Sequence, residues 1–215
     1  MVDDPWGLWD PLRPDEVVTL LTGFDAPWWV AGGYAIEAFV GRAFREHCDT
    51  DIGLLSGDQL TIQAHLSAWD LHAADPPGTL RPWLRGETLA PGVHDIWARA
   101  GPGQPWRFQL MLNGSDRGDW VFRRDSRIRR PLVSCVWRQE GIPYFAPEVQ
   151  LLFKAKAPRP KDEADFEAAL PLLDATQRRW LLHALNLAEP ASPWRSRLTG
   201  PSIVSGGFER RALLT

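Results

Sequence analysis

The 215-residue chain is predicted to fold as an α/β (α+β) protein, with a mixed sheet backed by helices and a helical region at its C-terminal end. Three observations predict this. WWVAGGYAIEAFVG passes from an apolar strand through two glycines into a helical pattern. HDIWARA and WRFQLMLN alternate apolar and polar residues on either side of GPGQP, as the paired strands of a hairpin do. From Pro147 to Leu187 the apolar spacing changes to that of three helices. Residues 1–146 therefore carry the sheet domain, and residues 147–215 a helical region and tail packed on the same cleft.

The elements follow in order. Asp10 to Leu21 reads as a short amphipathic helix: Pro14 suits a first helical turn, and Val17, Val18, Leu20 and Leu21 supply the apolar face. A strand over WWVA, the glycines and a helix over YAIEAFV come next, then a strand from Asp51 to Leu55. Asp58 opens a helix to Trp69, with Leu60, Ala64 and Leu66 inward. Leu80 to Pro91 is rich in turn formers. If GPGQP closes the hairpin with Ala100 opposite Trp106, then Trp97 faces Gln109 and Asp95 faces Met111. A slip of one residue would turn Asp95 to the other face. Further strands are expected near Trp120 to Phe122 and Ile142 to Phe145, and a helix over Glu148 to Lys156 with Val149, Leu152 and Phe153 inward. The tail from Ser192 to Thr215, with Gly, Pro and Ser among scattered hydrophobics, is expected to wrap or fray.

Composition narrows the class. With 44% hydrophobic residues and a net charge of −3, the chain can bury one sizeable core, and its overall charge makes no case for nucleic acid or an anionic membrane. No apolar run approaches a membrane span and the first residues do not read as a signal peptide, so a cytoplasmic protein is expected. Two cysteines, Cys48 and Cys135, suit a reducing compartment. His47-Cys48-Asp49 is no zinc signature, because neighbours on a strand point to opposite faces and no partner pair exists. Twelve tryptophans are expected mainly as packing, with Trp97 as the one placed to stack on a base or sugar. The oligomeric state is left open.

The most informative stretch runs from Gly32 to Leu55. On a strand, Asp49 and Asp51 project to one side, roughly 6.5–7 Å apart along the chain. Two such carboxylates can share hard cations, and magnesium completes its shell from water and substrate phosphates. Gly32 and Gly33, between strand and helix, let backbone approach a phosphate. The pattern is that of a site for a nucleotide triphosphate over magnesium. Each half is weak alone, since a Gly-Gly pair is commonly a turn and a D-x-D commonly a solvated strand end.

In order and spacing the stretch resembles the nucleotidyltransferase superfamily, and within it the aminoglycoside and lincosamide adenylyltransferases. Their pattern, about GGWAID, then GR, then R-x-H-x-D-x-D, is matched by Gly32, Gly33, Tyr34, Ala35, Ile36, Glu37, Gly41, Arg42, Arg45, His47, Asp49 and Asp51. PEVQLLFKAKAPRPKDEADFEAALPLL resembles their C-terminal signature, K-x-K, a Pro-rich turn and K-D-x-x-D. The resemblance implies a nucleotidyltransferase fold, ATP and magnesium as cofactors, and AMP transfer to a hydroxyl of a small aminoglycoside-like or lincosamide-like molecule. Asp49 and Asp51 are then the metal ligands; Gly32, Gly33, Arg42, Arg45 and Lys154 receive the phosphates, with Lys156 as an alternative cation. Asp162 and Asp165 also suit the N-terminal dipole of the next helix.

The resemblance further implies a third acid on a strand beside D-x-D. The matching strand RFQLMLN offers only Gln109 there, and an amide is neither a base nor a strong magnesium ligand. Asp95, diagonal to Gln109 across the hairpin, is the expected replacement, ahead of Glu37 and Glu87. The run Arg123, Arg124, Arg127, Arg129 and Arg130 reads as a solvated loop or a phosphate-holding patch. Two other readings stay open: an antitoxin-type nucleotidyltransferase acting on a partner protein, and a nucleotide-binding protein without chemistry, suggested by Gln109.

Overall fold

A computed structural model of the chain describes residues 2–4, by backbone alone, and residues 6–200. In chain order the elements are β1 (Val2–Asp4), β2 (Gly7–Trp9), α1 (Pro14–Leu20), β3 (Trp28–Val30), α2 (Gly32–Val40), β4 (Asp51–Leu55), α3 (Gln59–His65), β5 (Asp70–Ala73), β6 (Arg81–Pro82), β7 (Asp95–Arg99) and β8 (Trp106–Asp116). Then come β9 (Asp119–Val121), β10 (Arg129–Pro131), β11 (Val136–Gln139), β12 (Ile142–Phe145), α4 (Pro147–Lys154), α5 (Pro160–Ala169), α6 (Ala175–Ala188) and α7 (Trp194–Leu198). The expectation for the tail from Ser192 to Thr215 falls partly on residues 201–215, which lie outside the described residues.

The main sheet has the order β11-β12-β3-β4-β8-β7-β5-β6. It is mixed as predicted: β4 runs parallel to β8 and antiparallel to β3, and β7 is antiparallel to β8. β4 is central, so its sequence DIGLL is apolar on both faces, with Ile52, Gly53 and Leu54 buried. β8 alternates buried and half-buried residues from Trp106 to Leu112, the period-2 pattern of a strand with one covered face. Trp29 on β3 is fully buried and stacks on Phe145 of β12 at 5.3 Å. α2 packs against α4 and α5, and α4 against α6, which brings the C-terminal helices over the entry of the central strands.

The hairpin register is the predicted one where it matters, with Asp95 opposite Met111 and Trp97 opposite Gln109. A bulge between Ala98 and Arg99 places Arg99, not Ala100, opposite Trp106. Two helical faces differ from expectation. In α3 the inward residues are Ile62, Gln63 and Leu66, while Leu60 and Ala64 are exposed; residues 62 and 66, four apart, share the face turned to the sheet. In α1, Val17 is buried and Val18 is exposed. Among the described residues no helix is long and apolar enough to cross a membrane. Cys48 is exposed, Cys135 is buried, and both are free thiols.

Candidate active site

The site forms where β3 turns into α2 above the first residue of β4. The Ala31 N–H donates to the Asp51 carbonyl at 2.8 Å, and on the other side the Gln109 N–H donates to the Thr50 carbonyl at 2.8 Å. Asp51 is therefore pinned between β3 and β8. Asp49 is not on the strand: the chain leaves β3 at Ala31 for the helix, so nothing on that side continues the ladder back to residue 49. Its side chain is 39% exposed and lies 3.7 Å from Lys161 Nζ.

The glycines make room for side chains rather than only for a ligand. Gly32 has φ +65, and a Cβ there would lie 2.2 Å from Asp51 Oδ2; at Gly33 a Cβ would lie 2.1 Å from an Arg45 nitrogen and 2.5 Å from His47 Nδ1. Any larger residue at either position would displace these groups. The Gly32 N–H donates to Gln150 Oε1 at 2.8 Å, so a side chain of α4 caps the start of α2.

Gly32, Asp51, Met111, Gln150 and Lys154 line a cavity of about 280 Å³ together with Arg123, Arg124, Lys156, Arg159 and Asp162. A carboxylate thus sits in a largely cationic enclosure. Burial, and then the charge of Asp49, push the Asp51 carboxyl up to about 7; Asp95 adds to the rise, while Lys154 and Lys161 oppose it. Asp95 is therefore within electrostatic reach of Asp51, as the hairpin register predicts. Its Oδ1 is buried without a hydrogen bond, and Arg123 Nη1 is 3.7 Å away. Gln109 is the strand neighbour of Asp51.

Several sequence expectations are corrected. Arg45 does not line this cavity: its guanidinium holds Asp165, fully buried, through bonds of 2.6 and 2.9 Å. Arg42 lines a separate cavity of about 700 Å³ with Arg13, Tyr34, Glu37 and Glu140. Lys154 does line the cleft, but its ammonium lies 2.8 Å from Asp165 and 3.2 Å from Asp162, so two carboxylates already balance it. Asp165 is thus a buried anchor and not a complement to the helix dipole. Asp162 does cap α5, accepting the Arg159 N–H at 3.0 Å. Glu37 lies 2.8 Å from His47 Nε2, and Glu87 is held by Arg81 at 2.7 Å, which removes both from the cleft. Trp97 packs edge-on against Trp9 and Trp106 at 4.8 and 5.5 Å and is part of an aromatic cluster.

The arginine run divides by partner. Arg127 pairs with Asp125, Arg129 with Asp116 and Asp119, and Arg130 with Glu148. Arg123 and Arg124 turn to the cleft, Arg124 donating to the Phe153 carbonyl at 3.0 Å. Sequence reasoning passed over Gln150, although it stands four residues before Lys154 and so shares its helix face.

Comparisons with known proteins agree with this geometry. Residues 15–74 match the family profile described as aminoglycoside-2''-adenylyltransferase. No curated protein matches the chain. The fold is similar to the lincosamide antibiotic adenylyltransferase LnuA, solved with lincomycin bound, at 14% identity and a TM-score of 0.51, covering 74% of this chain and 97% of that one. It is also similar to the antibiotic-resistance factor ANT(2'')-Ia, at 14% identity and a TM-score of 0.53 for the solution structure, covering 80% and 88%. The crystal structure of ANT(2'')-Ia with adenylyl-2''-tobramycin gives 13% identity and a TM-score of 0.52, covering 80% and 94%. The profile match spans the glycine and aspartate motifs, and the fold is similar to that of these solved adenylyltransferases.

Proposed function

We propose that the protein transfers AMP from ATP to a hydroxyl of a small molecule of the kind modified by antibiotic adenylyltransferases. The observation that carries this is the cavity lined by Asp51 and Gly32 and by Arg123, Arg124 and Lys156, beside Lys154 and Arg159, which pair with Asp162 and Asp165. Such a wall suits a triphosphate, because guanidinium groups receive phosphate oxygens through two parallel N–H bonds and ammonium groups act as point charges. Phosphoryl chemistry asks the protein mainly for positioning and charge stabilisation, which these residues supply.

The donor set fits magnesium. Asp51, Asp49 and Asp95 offer only oxygen; the proton affinity of Asp51 is raised by burial and by its neighbours, and Asp95 Oδ1 has no hydrogen bond. A divalent cation relieves both conditions. Among the described residues no three His, Cys, Asp or Glu side chains form a ready cage for an ion, and magnesium characteristically takes a few carboxylates and completes its shell with water and phosphate. When bound, the ion would neutralise charge on the triphosphate. Asp51 and Asp49 would hold it, and Asp95 would hold it or take the proton from the attacking hydroxyl. Asp95 would supply the acid missing at Gln109.

The test is calorimetry of ATP with and without magnesium. Wild type should bind ATP in a magnesium-dependent way and Asp51→Ala should not. Identical magnesium dependence in both proteins would reject the site.

A further inference from the structure

We infer that a second cavity, which shares Arg123 and Arg124 with the cleft of Asp51, receives the acceptor, and that its wall selects an acceptor with hydroxyls but no cluster of ammonium groups. This rests on the nucleotidyl-transfer reading above and specifies the substrate class of that site.

The cavity measures about 620 Å³ and shares Arg123 and Arg124 with the cleft of Asp51. That volume suits a drug-sized molecule. Its position suits an acceptor, since Arg123 approaches Asp95 on β7 and the preceding residue, His94, lines the cavity. A hydroxyl entering from this side would attack the α-phosphorus of ATP: the new oxygen–phosphorus bond forms, the bond to the bridging oxygen breaks, and pyrophosphate leaves with that oxygen. The hydroxyl proton passes to a carboxylate, the role proposed above for Asp95.

The wall decides the class. Leu89, Val93, Leu112, Val121 and Phe122 give it an apolar body, and Ser56 adds a small polar group. Its charged members are Arg123, Arg124 and Asp125. Asp125 is not open to a ligand, because Arg127 donates to it at 2.6 and 2.9 Å through its side chain and at 3.0 Å through its backbone N–H. Even with both arginines occupied by phosphate, no carboxylate of this wall is open to an ammonium group. A polyamine acceptor would bring several charges into a pocket that cannot pair them, and each unpaired charge costs affinity. An uncharged, partly apolar glycoside meets no such cost.

The experiment uses the full chain saturated with magnesium and α,β-methylene-ATP, whose binding is measured first by calorimetry. Saturation-transfer NMR then compares 4-nitrophenyl β-glucoside, which is uncharged, with tobramycin, a polycation. We expect the glucoside to bind at least about tenfold more tightly than tobramycin, and Val93→Trp and Ala90→Trp to weaken the glucoside while leaving the affinity for the ATP analogue unchanged. Tobramycin binding as tight as the glucoside overturns the proposed selectivity. Absence of glucoside binding, or binding that both tryptophan variants leave untouched, overturns the assignment of the cavity. If wild type does not bind the analogue, the nucleotide reading fails and this proposal with it; any of the other results with intact analogue binding overturns this proposal alone.

Discussion

Replacing Asp51 by Asn should stabilise the metal-free protein above neutral pH while abolishing its response to magnesium. Burial and then Asp49 raise the Asp51 carboxyl from 3.8 to about 7. Because the folded value lies above the unfolded one, the folded state keeps its proton to higher pH. The resulting penalty is absent below the unfolded value, grows as pH rises between the two values, and is complete above the folded one. A rise of about three pKa units at about 1.4 kcal/mol each sets a ceiling near 4 kcal/mol. Asp51 keeps some contact with solvent, which we take to halve this to about 2 kcal/mol. Urea unfolding at a series of pH values, with and without magnesium, measures it. Asp51→Asn should gain about 2 kcal/mol over wild type near pH 8 without the metal, with the gain shrinking toward zero near pH 4. Magnesium should raise the stability of wild type alone. Equal stability of the two proteins at pH 8, or a wild-type stability that does not fall as pH rises, would refute the reasoning.

Three more outcomes follow from the same contacts. Lys154→Ala leaves Asp162 and Asp165 with fewer partners in a buried setting and should destabilise the fold by about 3–5 kcal/mol in chemical denaturation; Lys154→Arg should recover part of it, and a loss under about 1 kcal/mol would mean that the ion pairs are not formed in solution. Burial raises the Asp162 carboxyl, but the Arg159 side chain, its backbone N–H and Lys154 outweigh this and hold it at about 2. A depressed carboxylate stabilises above its unfolded value of 3.8 and loses that contribution as pH falls through about 2, so Asp162→Asn should flatten the acid limb of the stability curve in that window. Asp95→Asn should keep the fold and lower pyrophosphate release about 10²–10⁴-fold, the usual contribution of a positioned proton acceptor; turnover that survives the change would move that role elsewhere, and Gln109→Glu is the first variant to compare.

Much of this molecule was legible in the chain. WWVA before two glycines reads as a strand entering a helix, the segment from Asp51 to Leu55 reads as a strand, and a five-residue loop between alternating segments gives the observed register, with Asp95 on the same side as Gln109. These are local matters, governed by side-chain period and turn chemistry. The motif residues Gly32, Asp51 and Lys154 could be named from the sequence, and the structure gathers them in one cavity.

What each charge does was decided by tertiary structure alone. Arg45 and Lys154 are as suitable for phosphate as Arg123 and Arg124, and nothing in their local sequence distinguishes them. α5 brings a buried Asp165 against the first pair, and β9 leads into a loop that turns the second pair to the cleft. The same holds for Trp97, whose neighbours Trp9 and Trp106 come from β2 and β8, and for Gln150, which meets Gly32 across 118 residues of sequence. A sequence sets the sign and size of a side chain and the face of its element; which opposite charge it meets depends on how distant elements pack, and in a buried setting that partner decides whether the charge is left free for a ligand.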